Sequence, residues 1–273
     1  MRKILALLAA TLLGATGVQR AEAAVSVDFF YTSLEPYGGW IETPDYGYVW
    51  QPSELAQDWR PYTVGSWAYT DAGWTWVSEE PHGWVTHHYG RWLEIEPAGW
   101  VWVPDTEWAP AWVSWRRSTK YVGWAPLPPE ARFERTVGIQ SWSDSYYDIG
   151  PTYYSFVETR NMGAPRLAAV IVPPRENITI IWETQNITNI VVKNNIIINE
   201  GPQYDVIVRE SDQPIRRLRL ERNTNIVVDR NRREDYRGRI EGDVFRVPAP
   251  EVQISADIRP PKVGRRLEKA TVN

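Results

Sequence analysis

Three tryptophans, Trp50, Trp76 and Trp102, stand 26 residues apart, and Gly47, Gly73 and Gly99 keep the same step. The surrounding strings share a layout: "YGGWIETPDYGYVWQP" (37–52), "GSWAYTDAGWTWVS" (65–78) and "GRWLEIEPAGWVWVP" (90–104). A second phase runs beside the first. "WRPYTVGSW" (59–67) and "WVTHHYGRW" (84–92) both set one tryptophan eight positions after the other, and "WRRSTKYVGWAPLPP" from Trp115 resembles a further copy one residue longer. Periods of this length mark repeated supersecondary units. Trp, Tyr, Val and Thr favour strands, and Pro and Gly punctuate each unit, so each unit reads as two strands joined by a turn. Residues two apart share a strand face. Trp100 therefore points with Trp102, Trp74 with Trp76, and Tyr48 with Trp50. The glycine beside each aromatic pair is expected to mark a bulge or a close strand crossing. Hairpins in series predict an all-β fold: antiparallel Trp-repeat hairpins forming a small barrel or sandwich, followed by a second, looser β-rich region.

Composition decides where the tryptophans go. Residues 37–128 hold 14 of the 16 tryptophans but 13 Val, Ile and Leu together. Aliphatic side chains alone cannot fill a core for that stretch, so most of the indoles are expected inside. Trp76 and Trp102 should occupy equivalent core places in consecutive hairpins. Trp108, Trp112 and Trp115 break the repeat register and sit in "EWAPAWVSWRR". These three, with Arg116 and Arg117 adjacent, are the candidate ligand-binding residues: exposed rings would stack on sugar faces while the arginines bond hydroxyl or carboxylate groups.

The chain has 273 residues. Its start, "MRKILALLAATLLGATGVQRAEA", has the charged, apolar and A-x-A regions of a secretory signal peptide over residues 1–23. The apolar run is short for an anchor helix, and no later stretch is long enough to span a bilayer, so the mature chain is expected to carry no transmembrane span. Beyond the signal, 24–130 reads as the Trp-rich β-repeat domain, 131–175 as a connecting segment, 176–247 as an Ile/Asn-rich and Arg-rich β region, and 248–273 as a Pro-rich, poorly ordered tail. In the third of these, "NITIIWETQNITNIVVKNNIIIN" reads as three short strands broken at Asn, and "RRLRLERN" as a further strand with a basic face.

Cysteine is absent. That removes disulfides, thiolate nucleophiles and thiolate metal ligands, and leaves an exported chain held by packing alone. The formal net charge of −4 conceals an asymmetry: 14 acidic and 5 basic residues in 25–130, 12 acidic and 16 basic in 201–273. Carboxylates are interspersed with those arginines, which argues against nucleic acid as a partner.

Catalytic signatures are missing. His82, His87 and His88 are the only histidines, and on a strand the adjacent pair would face opposite ways. No H-E-x-x-H, G-x-S-x-G or Gly-rich phosphate loop occurs. Glu79, Glu94, Glu96, Asp105 and Glu107 fall at turns, with nothing to mark two of them as a glycosidase pair. The expectation is a chain with no catalytic residues, no metal site and no cofactor.

"FYTSLEPYGGWIETPDYGYVWQP", "DWRPYTVGSW", "GWTWVSEEPHGWVTHHYGRW", "GWVWVPDTEWAPAWVSWR" and "VGWAPLPP" together resemble a bacterial family of exported Trp-rich proteins with Y-x-W-x-P-type repeats, known as a domain of unknown function. The resemblance runs from about Phe29 to Pro129. It implies a periplasmic or extracellular envelope protein and carries no catalytic residue over. The function expected is a non-catalytic structural or protein-interaction module. The alternative is a binder of peptidoglycan or exopolysaccharide through exposed aromatic residues. The partner is accordingly an envelope protein or a polysaccharide.

Overall fold

A computed structural model describes residues 25–272 apart from 57, 140–148, 227–235 and 254–257. The expected signal peptide lies outside the described residues. Strand β1 (Val25–Ser26) and helix α1 (Asp28–Leu34) lead into four hairpins: β2 (Gly38–Thr43) with β3 (Gly47–Pro52), β4 (Gly65–Thr70) with β5 (Gly73–Ser78), β6 (Arg91–Glu96) with β7 (Gly99–Val103), and β8 (Val113–Arg117) with β9 (Tyr121–Pro126). A single turn of helix, α2 (Gly83–Thr86), separates the second hairpin from the third. The rest of the chain supplies β10 (Ser155–Glu158), α3 (Asn177–Glu183), β11 (Gln185–Asn186), β12 (Ile190–Lys193), β13 (Ile196–Asn199), α4 (Tyr204–Glu210), β14 (Arg217–Asn223), β15 (Arg239–Glu241), β16 (Val244–Pro248), β17 (Val252–Gln253), β18 (Val263–Arg266) and β19 (Thr271–Val272).

Each hairpin has one tryptophan pair facing across its two strands: Trp40 with Trp50, Trp67 with Trp76, Trp92 with Trp102, and Trp115 with Trp124. Cross-strand aromatic pairs are the stabilising unit of a sheet. All fourteen tryptophans between 37 and 128 are buried. Many of the indole N–H groups find carbonyls in the connecting segments, as buried indoles require. Trp50 donates to Leu34 at the end of α1 (3.2 Å), Trp92 to Thr86 in α2 (2.8 Å), and Trp102 to Tyr89 (2.8 Å). The repeat thus ties each linker to its hairpin.

Two sets of glycines divide the work. Gly47, Gly73 and Gly99 carry positive φ as the first residue of the second strand of their hairpins, where the chain leaves the turn. Gly73 also meets the Asn199 carbonyl of β13 closely, as expected of a strand crossing, and close approach to a tryptophan belongs to Gly38, Gly65 and Gly90, which start the first strand of three hairpins or just precede it. A Cβ at any of them would fall against a backbone carbonyl and the ring of Trp50, Trp76 or Trp102.

The fold is all-β and sandwich-like, and among the described residues no sheet closes into a barrel. The second β-rich region does not stand apart, because its strands extend the hairpin sheets. The first and third hairpins form a six-stranded sheet ordered β18-β2-β3-β7-β6-β19. The second sits in a seven-stranded sheet ordered β12-β13-β5-β4-β14-β16-β15, and the fourth in a sheet ordered β10-β9-β8-β11. The tail expected to be poorly ordered supplies β17, β18 and β19. Its packing has a physical reason: Ile41, Val49, Leu93, Ile95 and Val101 form a buried apolar cluster, and Leu267 and Ala270 pack against it.

The Asn-rich run also departs from expectation. Its first third is α3, a helix, because Asn177 and Ile180, three apart, turn inward together and tertiary packing overrides β-branched propensity. The other two parts are the strands β12 and β13, joined at Asn194-Asn195 with both φ positive. The Arg/Leu alternation forms β14, with Leu218 buried and its arginine neighbours exposed.

Candidate functional site

The residues proposed from sequence for sugar stacking are buried, and their ring faces are occupied. Trp108 lies stacked with His88 (centroids 5.2 Å apart, 13° between planes), with the Arg222 guanidinium 5.3 Å from its ring. Trp112 has the Arg91 guanidinium 3.6 Å from its ring centre and Phe133 against it at 5.2 Å. Trp115 packs on Trp67 at 4.6 Å and donates its indole N–H to Asn199 Oδ1 (2.8 Å). The expectation of an exposed row is corrected. Trp115 keeps the repeat, paired with Trp124 across the fourth hairpin, Trp108 and Trp112 lie in the segment leading to it, and burial leaves none of them a face for a sugar.

The two arginines are also committed. Arg116 donates to the carbonyls of Ile181 (3.1 Å) and Thr184 (2.7 Å), capping the C-terminus of α3. Arg117 pairs with Glu210 at 3.2 Å. Of the turn carboxylates, Glu94 and Glu96 fall within β6, and Glu107 pairs with Arg135.

Sequence reasoning missed a polar cluster around α2. "EPHGWVTHH" forms a helical turn instead of a strand, which sets His82 and Thr86 on one face and sends His87 and His88 apart. Glu80 is nine-tenths buried. The Trp59 indole donates to its Oε1 (2.7 Å). His82 Nε2 lies 3.5 Å from that same oxygen, and His87 Nε2 lies 3.6 Å from Oε2. The Thr86 hydroxyl donates to the His82 carbonyl (3.3 Å) and stands 3.0 Å from His82 Nδ1. The Tyr62 backbone N–H donates to His87 Nε2 (3.3 Å). Burial, followed by the neighbouring His82 and His88, pushes the His87 imidazole well below its usual range, so the ring is neutral. His88 is lowered by burial to about 4 and contacts the Ala109 carbonyl through Nδ1 (2.9 Å).

Glu80 and His82 line a cleft of about 380 Å³, together with Tyr37, Glu54, Leu55 and Trp59. A neighbouring cavity of about 460 Å³ shares Ala56, Trp59 and Val64 with it. Both volumes fall in the range of small-ligand sites. The one lining serine, Ser53, donates to the Tyr37 carbonyl (3.0 Å) and has no base beside it. The cleft therefore offers aromatic walls and hydrogen-bond acceptors. Among the described residues no three His, Asp or Glu side chains are grouped to hold a metal ion.

Outside the repeat block, Trp182 is 87% exposed and Ile178, one turn earlier on α3, is 63% exposed. Trp142 lies outside the described residues.

Residues 31–131 match the model of a family of unknown function (DUF6600). No curated protein and no solved structure matches the chain.

Proposed function

We propose that this chain is an exported bacterial envelope protein acting as a non-catalytic structural or protein-interaction module. The observation that supports this reading is the burial of all fourteen repeat tryptophans. An aromatic repeat used for glycan binding needs exposed ring faces, and here those faces meet other rings, guanidinium groups and backbone. Many of the indole N–H groups are likewise spent on internal carbonyls. The second half supports the same reading, since it extends each hairpin sheet and leaves its own Trp182 and Ile178 outward.

The test has two arms. The purified chain is titrated with peptidoglycan fragments and acidic polysaccharides, with a Trp112→Ala variant alongside. The expected result is no saturable glycan response in the parent chain and a large loss of stability in the variant. Saturable glycan binding that Trp112→Ala abolishes without destabilising the fold would overturn the reading in favour of the glycan alternative. In the second arm, a photo-reactive residue at position 182 is cross-linked in cells. A discrete protein adduct is expected, and adducts to polysaccharide alone would count against the module.

A further inference from the structure

Glu80 poses a charge problem. It is nine-tenths buried, its ion-pair contacts among the described residues are the two histidines, and its Oε2 has no hydrogen-bond donor. The histidines do not supply one. His82 Nε2 stands 3.5 Å from Oε1, not from Oε2. His87 Nε2 accepts the Tyr62 N–H, so it carries no proton to give to Oε2, 3.6 Å away. Glu80 thus faces two imidazoles at 3.5 and 3.6 Å, with the Trp59 indole as the single hydrogen-bond donor to its side chain among the described residues. A buried carboxylate left like this is costly, and a positive charge brought to it relieves that cost. The nearby Arg60 does not serve, because its Nη1 bonds the Thr152 and Tyr154 carbonyls.

The cleft reaches Glu80 and His82 but not His87. Its floor is Glu80 and His82, its walls include Trp59, Tyr37 and Leu55, and the exposed Glu54 lines it as well. Aromatic and aliphatic walls suit an alkyl stem, and carboxylates suit its charged head. A metal ion is disfavoured, since His87 does not line the cleft and its Nε2 accepts from Tyr62, which leaves Glu80 and His82 as a pair there. We propose that this cleft binds an alkyl ammonium or guanidinium group, the head of a lysine or arginine side chain on a partner segment, with Glu80 as its counter-ion. The proposal rests on the module reading for the source of the cation only. Titration with free amines tests the cleft without any partner, so the two can fail separately.

The experiment is an NMR titration of the full chain with cadaverine, with capped Gly-Lys-Gly and Gly-Arg-Gly peptides, with the neutral alcohol pentanol, and with zinc chloride. Saturable shifts are expected for the Trp59 indole N–H and the His82 ring with the amine and both peptides, and none with pentanol. A response to cadaverine without the peptides would assign the site to free polyamines and overturn the partner-segment source. In Glu80→Gln the amide oxygen still accepts from Trp59 but the charge is gone, and binding should weaken about tenfold or more. Glu54→Gln, exposed and harmless to packing, should weaken binding by a smaller factor that added salt erases. Absence of any saturable shift with the cations would overturn the proposal. So would equal binding in Glu80→Gln with its other indole signals unmoved, unchanged binding in Glu54→Gln should Glu80→Gln fail to fold, or a response to zinc alone.

Discussion

Three glycine-to-alanine variants separate what the two sets of glycines do. Gly99 has φ +81° and nothing within 4 Å of the place a Cβ would take, so Gly99→Ala meets backbone strain alone, about 1–2 kcal/mol. Gly38 is extended at φ 179°, but its Cβ would lie 2.5 Å from the Trp50 ring and against the Gln51 carbonyl. Gly38→Ala therefore meets crowding alone, about 1–3 kcal/mol as overpacked cores do. Gly90 combines the two, with φ +63° and a Cβ that would sit 2.7 Å from the Trp102 indole and against the Val103 carbonyl. It would also push that indole off its bond to Tyr89. Gly90→Ala should cost about 2–5 kcal/mol, the sum of the two effects. Urea unfolding with linear extrapolation reads these differences directly, and thermal midpoints should fall by about 2–4 °C per kcal/mol for a chain of this size. If Gly90→Ala costs no more than Gly99→Ala, the ring of Trp102 is not held against this backbone and the account of the repeat is wrong.

Two further outcomes follow from the same geometry. His88 is lowered from an ordinary value near 6.5 to about 4 by burial, so the unfolded chain binds the extra proton between those values; the stability is present above about pH 6.5 and falls with pH, by about 2 kcal/mol at pH 5, and a pH series of urea melts with a flatter profile in His88→Gln checks it. Arg116→Ala removes the cap from α3 and should cost about 1–3 kcal/mol, seen as faster amide exchange in Asn177–Glu183; lost glycan binding at unchanged stability would contradict its structural role.

The hairpins were legible because their signal is periodic. Trp50, Trp76 and Trp102 recur at one step, and a period that matches a supersecondary unit survives any packing detail. The inward placement of the tryptophans was legible for a related reason: with 13 aliphatic residues over that stretch, nothing else could fill the space. The error at Trp108, Trp112 and Trp115 shows the limit of register arguments. Trp115 belongs to the repeat, opposite Trp124, and leaving the repeat does not free Trp108 or Trp112 from the core, because they pack on Arg222 and Arg91, which sequence does not place. Arg91 gave no local hint of its role. It is buried over Trp112, and that burial lowers its guanidinium to about 10. The cleft was hidden for the same reason. Trp59, Glu80 and His87 each look ordinary, and their meeting depends on "EPHGWVT" turning as a helix where alternation suggested a strand.

The second half was misread because edge pairing leaves little trace in composition. Each hairpin alone presents two open edges, and open edges with aromatic faces invite association with other chains. In this chain the later residues close them. β18 lies on β2 and β19 on β6, β13 and β14 flank the second hairpin, and β10 and β11 flank the fourth. The Asn199 amide holds the second half to the fourth hairpin, donating to the Ala111 and Val113 carbonyls at 3.1 and 3.0 Å while accepting from Trp115. Tyr89 donates to Pro250 at 2.7 Å and fastens the tail to the third repeat. Residues 31–131, the part that matches the family model, therefore hold the repeated core but not the strands that finish its sheets. Without cysteine, those sheet edges are joined by backbone pairing and side-chain hydrogen bonds contributed from far along the chain. The unit that buries the tryptophans is the hairpin block together with the segments that wrap it.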